Sequence, residues 1–377
     1  MPVLDVSNLG TLQPEELRAL VSVEMGMKNH DHVTLQLIAS ISGIKHGSIA
    51  HTVNELLRLK LLSHIGAPIS GYALTHMGYD YLALNSLRKR GVISALGSRI
   101  GVGKEADVYM AQGPEGESVI IKLHKLGRVS FRTARTKRDY LGTRKHASWM
   151  YLSRLAALRE FGFMAALYDR GLPVPKPLSL NRHCVCMSFI EGAPMHSLRE
   201  VTPEDATAIA QDLHAQMVRM LELGVVHGDC NEYNSIVGMD GRVAIIDFPQ
   251  MIQATDPEAS MQFDRDVDSF ETFFRRRFGI DLHLPRFSEI TVQKTEEQVL
   301  ATEKFAREMA IAHAQDLSDN DSDDSNASDV EPARTQIARQ RNIAQELRRE
   351  RKHAADQEAQ RRRFHKGEQK RAAYRME

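Results

Sequence analysis

Cysteine is scarce, no apolar run is long, and the formal charges cancel; each shortage closes off a class of protein. Three cysteines in 377 residues supply no disulfide framework and point to a reducing compartment. Two of them, Cys184 and Cys186, fall far short of the four ligands of a structural zinc site and read as small apolar fillers. No stretch approaches the roughly 18 apolar residues that mark a membrane-spanning helix, and no N-terminal apolar segment suggests secretion. The chain also lacks a G-x-x-x-x-G-K-[ST] loop, so a Walker-type phosphate cradle is not expected. What remains is an ordinary globular composition, 42% apolar and 26% charged. Its net charge of zero conceals local asymmetry.

The chemistry is concentrated in Val226-His227-Gly228-Asp229-Cys230-Asn231-Glu232-Tyr233-Asn234 and in Ala244-Ile245-Ile246-Asp247-Phe248-Pro249 just after it. A carboxylate, an amide five residues on and a second carboxylate at the end of an apolar run are what phosphoryl transfer requires. One group orients or deprotonates the nucleophile, and two hold magnesium against the phosphates. H-x-D-x-x-x-x-N followed by D-F is the protein-kinase order. Upstream, Ser98–Tyr109 reads as strand, glycine turn, strand. Gly101 and Gly103 allow backbone N–H groups to approach phosphate oxygens, with Lys104 and Glu105 completing the turn. Lys122 is a lone cation inside the apolar strand Val119–Leu123; a buried ammonium requires a partner. Glu160 is the candidate, with Glu105 as the alternative. Met187, Ser188 and Ile190 lie where a strand breaks before Gly192 and read as the hinge that meets adenine. The sequence therefore predicts ATP and magnesium as cofactors, held by Gly101, Gly103, Lys104, Glu105, Lys122, Met187, Ser188 and Ile190 for the nucleotide and by Asn234 and Asp247 for the metal.

The expected fold class is α+β: an N-terminal winged helix, a truncated two-lobed kinase-like domain and a charged tail, partly disordered or helical. Helical periodicity over Glu15–Lys28, Val33–Ser42 and Ser48–Lys60 precedes two short strands, Leu61–Ile65 and Gly71–Leu74, and a further helix, Thr75–Arg90. Residues 1–90 thus read as a separate winged-helix unit. Its third helix exposes His51, Asn54, Arg58 and Lys60, which suits nucleic-acid contact or protein docking equally. Residues 91–285 read as the catalytic domain, with the N-lobe over 91–190 and the C-lobe over 191–285. The C-lobe carries one helix over Pro203–Gly224 and one over Asp264–Phe278, and no A-P-E segment. A helical extension is expected over 286–315. Between Lys122 and Glu160, residues 127–148 carry seven Lys/Arg and a single acid, Asp139, which favours contact with phosphate or RNA. Residues 316–331 hold seven acids, four serines and no base, an expected disordered linker. Residues 332–377 read as a basic helical tail suited to lying along RNA, since 14 Lys/Arg stand against 6 Asp/Glu from Ala333 onward.

These segments resemble the RIO kinase family, in its winged-helix-bearing eukaryotic branch. The resemblance rests on Gly101-Val102-Gly103-Lys104-Glu105-Ala106-Asp107, Lys122–Arg128, Arg138–Gly142, Ala147–Arg154, His227–Asn234 and Ile246-Asp247-Phe248-Pro249-Gln250, where D-F-P-Q replaces D-F-G. It implies an atypical, non-specific serine/threonine kinase with ATPase activity, which binds pre-ribosomal small subunits through rRNA and ribosomal proteins. It places the protein in late cytoplasmic maturation of that subunit, with shuttling through the nucleus allowed, no membrane association and a monomeric free form. It also implies that Lys122 binds the ATP phosphates, that Asp229 is the catalytic aspartate, and that Asp247 can accept the phosphate as an aspartyl-phosphate. A small-molecule phosphotransferase of kinase-like fold would share the H-x-D-x-x-x-x-N motif but need neither winged helix nor basic tail. An RNA-binding scaffold with a switch-type nucleotide site would not need Lys122, Asp229, Asn234 and Asp247 together.

Overall fold

The computed structural model describes residue 4 and residues 9–66, 69–126 and 148–290. The expectations for the basic loop, the acidic linker, the basic tail and nearly all of the 286–315 extension lie outside them.

The first helix, α1 (Pro14–Met27), opens on Pro14, where a missing N–H removes no helical bond. Thr34 caps α2 (Leu35–Ser42) by accepting the Leu37 N–H, and Gly43 ends that helix at φ 66°. The left-handed turn needs a residue without Cβ and separates α2 from α3 (His46–Arg58). Ile49, Val53 and Leu56 of α3 are fully buried, while His51, Asn54 and Arg58 face outward, as does Lys60 beyond its end. The wing is the antiparallel pair β1 (Leu62–Ile65) and β2 (Gly71–Leu74). Thr75 then caps α4 (His76–Lys89).

Five antiparallel strands follow: β3 (Ala95–Val102), β4 (Ala106–Gln112), β5 (Ser118–His124), β6 (Pro177–Asn181) and β7 (Cys184–Ser188), in the order β3-β4-β5-β7-β6. Strand β5 is central and covered on both faces. Val119, Ile121 and Leu123 point one way, into a core that also contains Leu20, Val53, Leu84 and Leu87 of the helices before it. Residues 1–90 thus share a core with the sheet rather than closing one of their own. Their apolar face and the outer face of the sheet form one core, closed by Cys184 and Cys186. Lys122 alternates to the other face, towards α5 (Trp149–Asp169), whose first turn Ser148 caps.

The chain continues through β8 (Gly192–Pro194), α6 (Pro203–Glu222), β9 (Val225–Val226), β10 (Ser235–Gly238), β11 (Val243–Ile245), β12 (Ile252–Gln253) and α7 (Ala259–Phe278). Strands β8, β10 and β11 form one small sheet, and β9 pairs with β12. Helix α7 begins at Ala259 rather than Asp264. It presents Phe263, Val267, Phe270 and Phe274, all essentially buried, at the 4-3-4 spacing of a single helical face. Each such side chain contributes about 1.5–3 kcal/mol through burial. The segment after α7 packs back on this lobe: Pro285 O accepts from His214 at 2.9 Å, and the Phe287 N–H donates to Asp264 at 2.8 Å. Among the described residues, α6 and α7 are the only long helices after β8.

Candidate active site

The site forms where β5, α5, the loop after β9 and the turn after β11 converge. Lys122 is clamped between two carboxylates. Its Nζ donates to Glu160 Oε1 at 2.6 Å and to Asp247 Oδ1 at 2.8 Å. Glu160 is therefore the partner. Glu105, the alternative, instead accepts the Lys125 backbone N–H on its carbonyl. Burial works against the Lys122 ammonium, but Asp247 and then Glu160 override it and hold the lysine charged well above its usual range. Burial likewise opposes the Glu160 charge; Lys122 and His124, whose Nε2 lies 2.5 Å from Oε2, bring that carboxyl down to about 2.

Asp247 sits at φ 71°, in the left-handed region, where a side chain with Cβ costs roughly 1–2 kcal/mol. The turn aims its carboxylate at Lys122 while leaving 39% of the side chain exposed. The next residue, Phe248, is buried and meets the His227 ring edge-on at 5.6 Å. Burial takes the His227 imidazole down to about 4, so it is neutral and acts as packing rather than as an acid. Gly228 is required by its own geometry: φ is 76°, and a Cβ there would lie 3.0 Å from the Gln250 carbonyl and collide with the Gln262 side chain.

Asp229 is held from several sides. Gln250 Nε2 donates to Oδ2 at 2.7 Å, Asn231 Nδ2 to Oδ1 at 3.2 Å, and Asn234 Nδ2 to its carbonyl at 2.9 Å. Asn234 thus has its amide nitrogen engaged, which leaves the amide oxygen to face a cation. Below the loop, Asp266 Oδ2 accepts the Cys230 N–H at 3.0 Å, and Arg265 donates to Gly228 O. Burial raises the Asp266 carboxyl to about 6, against the Cys230 N–H and Arg265. Sequence reasoning missed Gln250, Arg265 and Asp266. Of the three, only Gln250 had a signal, as the last letter of D-F-P-Q.

The nucleotide side is more open. The turn after β3 closes through Gly103 N–H to Ala106 O at 2.8 Å, and Gly101 packs against Val108. Lys104 is solvent-exposed. At the expected hinge, Met187 is buried and Ile190 half-buried. Beside them, the Ser188 N–H donates to Lys176 O and its Oγ accepts the Lys176 N–H, both at 2.9 Å. The donor set fits magnesium, with a partly exposed carboxylate and an amide oxygen that are hard ligands suited to that ion.

The chain is similar to known proteins over most of the described residues. A RIO domain model matches residues 107–287 and a Rio2 N-terminal model matches residues 9–90. Serine/threonine-protein kinase rio2 of Schizosaccharomyces pombe is 40% identical over 78% of this chain and 86% of its own length. The Dictyostelium discoideum protein of the same name is 42% identical over 84% of this chain. The chain spans only 60% and 58% of the lengths of the Dictyostelium and Caenorhabditis elegans relatives. A crystal structure of the Rio2 kinase from Chaetomium thermophilum, a complex with ADP, Mg2+ and phosphoaspartate, superposes with a TM-score of 0.69 at 38% identity. It covers 83% of this chain and 99% of its own.

Proposed function

Because this chain belongs to the RIO kinase family, in the branch that carries a Rio2 N-terminal domain, we propose that it is an ATP-dependent serine/threonine kinase and ATPase that forms an aspartyl-phosphate. The observation that carries the proposal is the convergence of Lys122, Glu160 and Asp247 within 2.8 Å contacts, beside an Asp229 oriented by Gln250. Lys122 holds the α- and β-phosphates. Asn234 and Asp247 would hold magnesium, which supplies charge neutralisation on the phosphates. The γ-phosphorus passes from the β–γ bridging oxygen of ATP to an Asp247 carboxylate oxygen, and ADP leaves with the electron pair of the broken bond. Water then attacks that phosphorus, Asp229 takes its proton, and release of inorganic phosphate restores the Asp247 carboxylate. A protein hydroxyl in place of water gives kinase activity.

Among the described residues, the scarcity of long helices after β8 supports phosphate release over transfer to generic peptides. Incubation with γ-labelled ATP tests the reading. Label that survives acid, is lost in base or hydroxylamine, and maps to Asp247 is the expected result. Absence of both labelled protein and released phosphate overturns it.

The biological setting we infer is late cytoplasmic maturation of the small ribosomal subunit, with passage through the nucleus and no membrane partner. Support comes from family membership and from the basic stretches at 127–148 and 333–377, whose sign suits rRNA phosphates. RNA crosslinking of the tagged protein, followed by sequencing, tests this. Enrichment of small-subunit rRNA is expected, and a pattern no different from bulk RNA refutes it.

A further inference from the structure

The winged helix and the nucleotide site are joined by buried charge as well as by the shared core. On α4, Asp80 is 1% exposed and holds two residues of the sheet. Its Oδ2 pairs with Lys125 Nζ at 2.7 Å, and its Oδ1 lies 2.7 Å from His183 Nε2. Lys125, just past β5, also pairs with Asp107 of β4 at 3.1 Å. The Lys125 N–H donates to Glu105 O at 2.6 Å, which clips the glycine turn to the end of β5. His183, in the turn between β6 and β7, stacks on Tyr79 of α4 with ring centroids 4.4 Å apart, and its carbonyl accepts the His124 N–H at 2.9 Å. His124 in turn reaches Glu160, the partner of Lys122.

Two chains of close contacts therefore run from one carboxylate of the winged helix. One passes through Lys125 to the glycine turn, and the other through His183 and His124 to the Glu160–Lys122 pair. Both lie in low dielectric, where a charge that loses its partner is strongly penalised, so neither path can slacken without the others adjusting. A second ion pair crosses the same boundary from α1 rather than α4. Arg182 forms a two-pronged pair with Glu24 of α1, at 2.9 and 2.8 Å, with side chains 9% and 14% exposed.

We infer that Asp80 is a positioning residue for the nucleotide site, through which the seating of the winged helix sets both the glycine turn and the Lys122–Glu160 pair. A macromolecule that shifts α4 on binding the winged helix thereby alters nucleotide affinity, and nucleotide binding reciprocally tightens α4. The inference rests on the ATP-dependent reading above.

Asp80→Asn tests it, since the amide keeps the size and an acceptor for His183 but removes the charge facing Lys125. In the full chain, with magnesium, the expected result is a roughly tenfold weaker ADP affinity and a KM for ATP raised more than kcat is lowered. Glu24→Gln, the boundary control, should stay within about twofold of wild type. Native ADP affinity in Asp80→Asn, or an equal loss in both variants, overturns the inference. Should Asp80→Asn fail to fold, hydrogen exchange of the wild-type chain decides. Slower exchange in residues 76–89 when ADP and magnesium bind upholds the coupling, and unchanged exchange there overturns it. Failure of the wild-type chain to bind ADP would instead refute the ATP-dependent reading itself.

Discussion

Replacing Glu160 with glutamine isolates the charge that keeps Lys122 in place. The substitution preserves volume and an acceptor oxygen but removes the negative charge 2.6 Å from Nζ. Breaking one partner of a buried ion pair costs about 3–5 kcal/mol, and the lower end applies because Asp247 remains at 2.8 Å. The Glu160 carboxyl, held down to about 2 by Lys122 and His124 against burial, points in the same direction. The sign follows from the depressed value: this stability is fully present above pH 4.5 and is lost as the pH falls towards 2, where the folded carboxyl also takes a proton. Urea titrations of wild type and Glu160→Gln at pH 7 should therefore differ by about 3 kcal/mol. Melting temperatures should differ by about 6–12 °C. The difference between the two proteins should shrink on going from pH 5 to pH 3. A difference under about 0.5 kcal/mol at pH 7, or one that does not change over that pH range, would refute the reasoning that the pair is charged and tightly coupled.

Asp229→Ala should leave ADP binding close to wild type and lower kcat for ATP hydrolysis by about 10²–10⁴, the range for losing a positioned proton acceptor; loss of affinity with kcat intact would mean that Asp229 serves the nucleotide. Gln250→Ala removes the 2.7 Å donor to Asp229, a charge-assisted bond of about 1.5–3 kcal/mol, so steady-state assays should show a ten- to hundredfold lower kcat with ADP affinity retained, and unchanged kcat would show that the carboxylate is oriented without Gln250. Removal of residues 333–377 should weaken RNA binding and flatten its dependence on salt, each lost phosphate contact on single strands removing about 0.7 from the log–log slope. An unchanged slope would identify the tail as solvated or protein-binding.

The spacing of the sequence determined which residues carry chemistry. Asp229 and Asn234 are ordered by a five-residue loop, and Asp247 by an adjacent turn, so their relation is local and shows in the linear order. Helix and strand positions were legible for the same reason, since capping by Thr34 and Thr75, the break at Gly43 and the burial of Ile49, Val53 and Leu56 all act within one or two turns of chain. Lys122 announced that it needed a partner, because a cation in an apolar strand cannot stand alone. Its choice between Glu160 and Glu105 was not local. Glu105 is nearer in sequence, but its backbone is held by Lys125, and only the packing of α5 on the sheet brings Glu160 to 2.6 Å. The same holds for Gln250, 21 residues from Asp229. The core that residues 1–90 share with the sheet was hidden for a related reason: periodicity shows that a face is apolar but does not say which surface covers it. Tertiary structure alone decided that β5 would cover it, and that Asp80 would meet Lys125 across the boundary.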